Sequence, residues 1–340
     1  MDSPFGIDEL KIAVIGGGTG SFTLLSALKE YTTKIAAIVN MADDGGSTGV
    51  LRDELGVLPP GDVRQCLVAL SDSPKIRDLF NYRFEEGMLE GHSFGNLFLT
   101  ALEKSTGSFR DAIDTASEVL RVNGAVIPVT YDNVRLKMSW PKGTLTLHGE
   151  RVIDADHFGY DPRKAKLSLE PAATVNPMAV EAIEQADLVV IAPGDLYTSL
   201  GPLLVIDGVG DALRRTKAKV VYVCNLVTKD GQTNGFTVGD HVKEIERFGG
   251  GGFLDAVLFN NQIPSERILQ RYKAENDYLV EVDMAELAKR PYQSIGGSYL
   301  GQIASYNPAD THLPVTRSLI RHNPVAVAST LIDIVRHDQA

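Results

Sequence analysis

The chain has 340 residues, 44% hydrophobic and 23% charged, a balance that excludes intrinsic disorder and a collagen-like chain. Lys and Arg number 33 against 44 Asp and Glu, a net charge of −11 that speaks against a nucleic-acid or membrane-surface binder, since such proteins present basic surface to phosphate. A small anion held locally by backbone N–H groups stays open. Cys66 and Cys224 are too few for a disulfide framework or a zinc cluster and are expected as buried core thiols. The start, MDSPFGIDEL, lacks the basic residues and apolar run of a secretory signal. The longest apolar run, around Leu188–Ala192, is far short of the ~20 residues a membrane span needs, so a cytoplasmic chain without membrane insertion is expected.

In chain order, Lys11–Ile15 reads as an apolar strand, the glycine run Gly16–Gly20 follows, and Ser21–Lys29 is spaced as a helix with Phe22, Leu25 and Leu28 inward. Ile35–Val39 is a second apolar strand. Strands apolar throughout imply a parallel sheet covered on both faces. Four helices are expected next, over 62–71, 76–84, 94–103 and 109–120. Val134–Ser139 and Thr144–His148, joined by Pro141-Lys142-Gly143, carry hairpin chemistry, and Arg151–Ile153 and Lys166–Leu169 are expected to extend that antiparallel patch. Helix and strand then alternate: 178–186, Leu188–Ile191, 203–214, Val220–Val223, 238–248 and Leu254–Phe259. The expected fold is one doubly wound α/β domain over 11–337, with a mostly parallel, Rossmann-like sheet, a helical insertion about 60–120 and a β-hairpin insertion about 125–170.

Gly16-Gly17-Gly18-Thr19-Gly20-Ser21 links a strand to a helix, where missing Cβ atoms admit a phosphate and free N–H groups point at it. No Gly-Lys-Ser/Thr follows, so the lysine of a Walker loop is missing. Ser21 stands where a dinucleotide fingerprint has Gly or Ala, and Asn40 stands where a ribose-binding acid is expected, which disfavours nicotinamide chemistry. The second strand runs into Asp43-Asp44-Gly45-Gly46. Paired acids there can hold Mg²⁺, accept ribose or base hydrogen bonds, or act as a general base.

Further polar loops converge on the carboxyl edge of the sheet, where ligands of open α/β sheets bind. Asp62 can cap the helix it enters, and Arg64 can reach phosphate. Gly91–Asn96 opens another helix with Ser93 and Asn96; His92 reads as a structural histidine. Asp195-Leu196-Tyr197-Thr198 and Asn225–Thr228 each follow an apolar strand.

Six ordered segments carry a resemblance: Gly16–Gly20, Ala42–Ser47, Leu58–Asp62, Gly91–Leu97, Leu196–Ser199 and Cys224–Thr228. Together they look like the CofD/YvcK family, over about 11–330. One branch of that family transfers a phospholactate-type group from a guanosine diphosphate donor to a deazaflavin precursor with Mg²⁺, releasing GMP. The other, YvcK-like branch is a regulator linked to gluconeogenic growth, cell shape and peptidoglycan synthesis, and binds UDP-sugars such as UDP-N-acetylglucosamine. This chain resembles the second branch, because Ala42–Gly46 leads into Ser47-Thr48-Gly49 and then Leu58–Asp62.

The resemblance implies a UDP-sugar or other nucleoside diphosphate as ligand and envelope-synthesis proteins as partners, with a homo-oligomer open. Diphosphate is expected on Gly17, Gly18, Thr19, Gly20 and Ser21 and on the helix near Ser93. Asp43, Asp44 and Gly45 would meet ribose or a Mg²⁺ ion, and Asn225 and Thr228 the base or sugar. Tyr272 matches a family position that would stack on uracil, and Arg321 one that would clamp diphosphate. Asn323 and Pro324 are expected as the cap and first residue of the last helix. The chain departs from the pattern at Asp195, where the regulators carry serine, at Asn323, which replaces an acid, and in a longer stretch over Arg290–Arg317. A carboxylate at Asp195 would repel diphosphate unless a cation intervenes or the side chain turns away.

Overall fold

The computed structural model describes residues 9–301 and 320–338. Seven strands form one parallel sheet: β1 (Ile12–Gly16), β2 (Ile35–Val39), β3 (Ala125–Pro128), β7 (Leu188–Ile191), β8 (Lys219–Val223), β9 (Ala256–Asn260) and β10 (Gln293–Gly297). Their order is β10-β9-β8-β7-β1-β2-β3, every pairing parallel. Ile15 pairs with Ile38 on one side and Ile191 on the other, and β1 and β7 are buried along their whole length. That is why these two central strands read as unbroken apolar runs: helices flank the sheet, and neither face meets water at its centre.

Fourteen helices accompany the strands among the described residues. Six lie between β1 and β3: α1 (Gly18–Leu28), α2 (Gly46–Leu55), α3 (Gly61–Leu70), α4 (Pro74–Asn81), α5 (Phe94–Thr106) and α6 (Phe109–Leu120). Then come α7 (Glu150–Ala155), α8 (Pro177–Glu184), α9 (Gly201–Leu204), α10 (Val209–Arg215), α11 (Val238–Gly249), α12 (Glu266–Ala274), α13 (Met284–Leu287) and α14 (Pro324–Asp338). Local chemistry marks many ends. Thr237 and Asp240 form a reciprocal capping box on α11, worth about 1 kcal/mol, and Gly107 closes α5 in the left-handed region at φ 74°. Asn323 accepts the Ala326 N–H at 3.2 Å and Pro324 opens α14, as the sequence predicts.

The structure departs from expectation where tertiary contacts override local signals. Gly46–Leu55, whose two glycines read as loop, is helical, because Gly49 lets the helix close against the Asp44 carbonyl, 2.0 Å from where a Cβ would stand. Arg151–Ile153 lies in α7 instead of a strand, with Ile153 buried. The antiparallel patch is a separate sheet, β5-β4-β6, of β4 (Arg135–Ser139), β5 (Thr146–His148) and β6 (Lys166–Glu170), while Ala125–Pro128, placed with the hairpin, belongs to the main sheet. The helix expected over 203–214 is split: a π-turn at Leu196–Leu200 leads into α9, and Gly208 at φ 100° separates α9 from α10. Cys66 and Cys224 are buried thiols. Of the Arg290–Arg317 stretch, 290–301 contains β10, and 302–317 lies outside the described residues.

Candidate functional site

The chain builds outward from β1 in two directions, β1–β2–β3 one way and β7–β8–β9–β10 the other, so its topological switch lies between β1 and β7. There the loops after both strands diverge, which is where open α/β sheets bind ligands. A cleft of about 330 Å³ occupies this place. Gly17–Gly20 at the start of α1 forms one wall, Pro193–Asp195 after β7 and Asn225–Lys229 after β8 form another, and Ile320–His322 closes it.

Several expected residues line this cleft: Gly17, Gly18, Thr19, Gly20, Asn225, Thr228 and Arg321. Arg321 is exposed in the cleft wall, without an ion-pair partner among the described residues. Asn225 acts through the backbone: its amide donates to the Gly194 carbonyl (2.9 Å) and accepts the Gly194 N–H (3.1 Å), so it holds the loop after β7. The Thr228 hydroxyl accepts the Tyr278 N–H at 3.0 Å. His322 is half-buried; desolvation pushes its imidazole down to about 4, and Nε2 donates to the Cys224 carbonyl at 3.0 Å.

Other expected contacts point elsewhere, and packing explains each. Ser21 turns its hydroxyl under the loop, where only a residue without Cβ at Gly16 leaves room (2.3 Å). Arg64 is buried between α4 and α5, donating to Asn96 Oδ1 (3.0 Å) and Asn81 Oδ1 (2.7 Å), with burial lowering its guanidinium to about 10. Ser93 caps α5 by accepting the Asn96 N–H, and the Asn96 amide reaches Ser47, which also meets His92 Nδ1 at 3.0 Å. That helix start is absent from the cleft wall. Tyr197 is fully buried, donating to Glu244 at 3.0 Å, and Thr198 is buried with it. Tyr272 is a core residue beneath Leu226 and Ile320, its hydroxyl accepting the Ile320 N–H at 2.8 Å, so its ring presents no face for a base to stack on.

The acids form a layered cluster beside the glycine loop. Asp62 sits within the first turn of α3, where it caps nothing on its own helix; instead its Oδ1 accepts the Gly18 N–H at 2.9 Å, occupying an amide expected for phosphate. Gly17 permits this approach, since a Cβ there would lie 2.1 Å from Asp62 Oδ2. Behind it, Asp43 accepts the Gly45 N–H (2.9 Å), and Asp44 accepts the Arg151 N–H (2.7 Å) and an Arg135 guanidinium (3.3 Å). Glu150, which no motif signalled, joins them from α7. Burial, then the neighbouring Asp43 charge, raises the Asp62 carboxyl to about 7 and Glu150 to about 8, and burial likewise raises Asp43. The pair Asp43–Asp44 does not by itself make a magnesium cage: both Asp44 oxygens are engaged, and among the described residues no three His, Cys, Asp or Glu side chains are arranged to hold a metal.

The Asp62 shift has a testable sign. From its ordinary value near 4 up to about 7, the folded chain keeps a proton that the unfolded chain has released, so stability falls as pH rises through that window and the penalty is complete above it. Asp62→Asn keeps an acceptor for Gly18 but cannot titrate. Urea denaturation should show a shallower loss of stability between pH 4 and 7 than the wild type, and a higher midpoint at pH 8; identical pH profiles would remove Asp62 from this role.

Lys229, one residue past the Asn225–Thr228 segment, was also unforeseen. Its ammonium is nine-tenths buried in the cleft wall, paired with Asp154 and with Asp195 at 3.0 Å. That ammonium stands beside Asp195 where its carboxylate faces the cleft shared with the glycine loop.

Among known proteins, the family model described as 2-phospho-L-lactate transferase CofD matches residues 12–299. The gluconeogenesis factor of Bacillus subtilis is 39% identical over 328 residues, covering 96% of this chain and 98% of that protein. That of Listeria innocua is 39% identical over 296 residues, covering 85% of this chain and 88% of that protein. A crystal structure of a Bacillus halodurans protein superposes with a TM-score of 0.86 at 35% identity, covering 95% of this chain and 99% of that one.

Proposed function

Because the chain belongs to the CofD/YvcK family, related to 2-phospho-L-lactate transferase and to the gluconeogenesis factors, we propose that it binds a nucleotide sugar, a UDP-sugar such as UDP-N-acetylglucosamine, as a cytoplasmic regulator of cell shape and envelope synthesis during gluconeogenic growth. The observation that carries this reading is the cleft at the β1–β7 switch, where the amino end of α1 and the exposed guanidinium of Arg321 border the same space. A diphosphate suits that pairing, since helix-start amides and a bidentate guanidinium both favour phosphate oxygens. Asp62 would yield the Gly18 amide on ligand entry. Among the described residues no helix is long and apolar enough to cross a membrane, in keeping with a regulator that does not insert.

Titration calorimetry against UDP-N-acetylglucosamine is expected to give saturable heat, and thermal melting at ~100 times the dissociation constant should show about 2.7 kcal/mol of added stability. A folded chain that gives no heat with millimolar ligand would end this reading.

The match to the transferase family supports a second reading, a Mg²⁺-dependent phosphotransferase acting on a nucleoside-diphosphate-linked donor. Asp43 would then face a Mg²⁺ held mainly by the ligand's phosphates and water, as that ion is in many phosphate sites. Release of GMP or UMP in the presence of a deazaflavin-type acceptor would favour transfer; binding without turnover favours the regulator.

A further inference from the structure

A second cavity, of about 340 Å³, opens where β6 begins, and it shares no lining residue with the cleft at the β1–β7 switch. Arg163, Lys164, Lys166 and Arg247 line it, the rest of the lining is apolar, and none of it is acidic. In a chain of net charge −11, four cations around one hollow reverse the sign locally. Local folding brings them together. Pro162–Lys164 is a 3₁₀ turn leading into β6, where Leu167 is buried and strand alternation leaves Lys166 exposed. Arg247, in the last turn of α11, meets this segment because its Nη1 donates to the Ala165 carbonyl at 2.8 Å.

Both guanidiniums are held in place. Arg247 also donates through Nε (2.9 Å) and Nη2 (2.6 Å) to the buried Glu244 carboxylate, and it lies 4.8 Å from the centre of the Phe248 ring. Arg163 donates to Asp161 through Nε at 2.8 Å and Nη2 at 3.3 Å. A guanidinium has five N–H donors, so each keeps some uncommitted. Lys164 and Lys166 are exposed and form no ion pair among the described residues. The carboxylates that act on this group, Asp161, Asp240 and Glu244, stand outside the lining. Like charges gathered in this way repel one another. An anion with several charged oxygens relieves that repulsion at several points at once, and guanidiniums already fixed in position lose little freedom in meeting it.

We propose that this cavity is a binding site for a small, multiply charged anion, carrying phosphate or several carboxylates, that is filled independently of the nucleotide cleft. Lys164 and Lys166 supply the uncompensated charge, and Arg163 and Arg247 supply fixed donors. The concave shape suits a small molecule.

Citrate and inorganic pyrophosphate, titrated separately into the full chain by calorimetry at about 0.15 M salt, test this, with singly charged acetate for comparison. At least one of the two is expected to bind with a dissociation constant below about 1 mM, and acetate at least about tenfold more weakly. The tighter of the two tells whether the site is built for carboxylates or for phosphate. Replacing both exposed lysines, Lys164→Gln with Lys166→Gln, should weaken that binding at least about tenfold, whereas Lys164→Arg with Lys166→Arg should keep it within about threefold. Arg321→Ala, which alters only the cleft, should leave it unchanged. No saturable heat from either anion overturns the proposal, as does acetate binding equally well. Binding that is lost in Arg321→Ala and kept in the double glutamine variant would put the anion in the cleft and overturn it too. None of these failures bears on the nucleotide-sugar reading, which titration with UDP-N-acetylglucosamine decides separately.

Discussion

Gly20→Ala is expected to lower the stability of the chain by about 2 kcal/mol and to weaken nucleotide binding together with it. Two effects oppose each other. Gly20 lies in the first turn of α1, where alanine is the better helix former by up to about 1 kcal/mol. The added Cβ, however, would stand 1.9 Å from the Pro193 carbonyl oxygen and 3.0 Å from its carbon. Both partners are backbone, so no rotamer change relieves the contact, and overpacking of this kind typically costs about 1–3 kcal/mol or more. The clash wins. Relief requires α1 to move away from the loop after β7, which widens the cleft between its two walls. Thermal melting should show a drop of about 3 °C for a chain of 340 residues, with a parallel loss of affinity for UDP-N-acetylglucosamine. Gly159→Ala, with nothing within 4 Å of its added Cβ, is the matched control and should melt like the wild type. A Gly20→Ala chain as stable as that control would mean that α1 and the Pro193 loop are not held together as described.

Arg321→Ala should separate binding from folding. The side chain is exposed, so its removal is expected to change stability by no more than about 0.5 kcal/mol. Hydrogen bonds to a charged partner contribute about 1.5–3 kcal/mol, so the dissociation constant for a UDP-sugar should rise about 10- to 100-fold. Arg321→Lys should recover only part of this, since an ammonium retains charge but not the two-pronged geometry. Affinity unchanged in Arg321→Ala would place the diphosphate away from this wall, and the cleft would lose its cationic anchor.

What was legible in the sequence followed from short-range rules. β1, β2 and β7 are apolar at every position because both faces are covered, and the glycine run after β1 announced a loop that lines the cleft. The two edge strands were not legible. β3 is four residues ending in Pro128, and proline is tolerated there because an edge strand need not donate on its open side. β10, Gln-Ser-Ile-Gly-Gly, is partly exposed and carries no apolar pattern. Tyr272 illustrates the opposite failure: its chemistry suited base stacking, yet helix α12 turns its ring into a small cluster with Leu226, Ile268 and Ile320.

By itself the sequence determined the doubly wound sheet, the position of the glycine loop that lines the cleft and the family, because each depends on residue type within a few neighbours. Tertiary structure alone decided the state of the charges. Asp62 meets the Gly18 amide across 44 positions, and Lys229 reaches Asp195 across 34 and Asp154 across 75. Burial and pairing of ionisable groups depend on which distant side chains share a low-dielectric space, and hydrophobic periodicity carries no information about that.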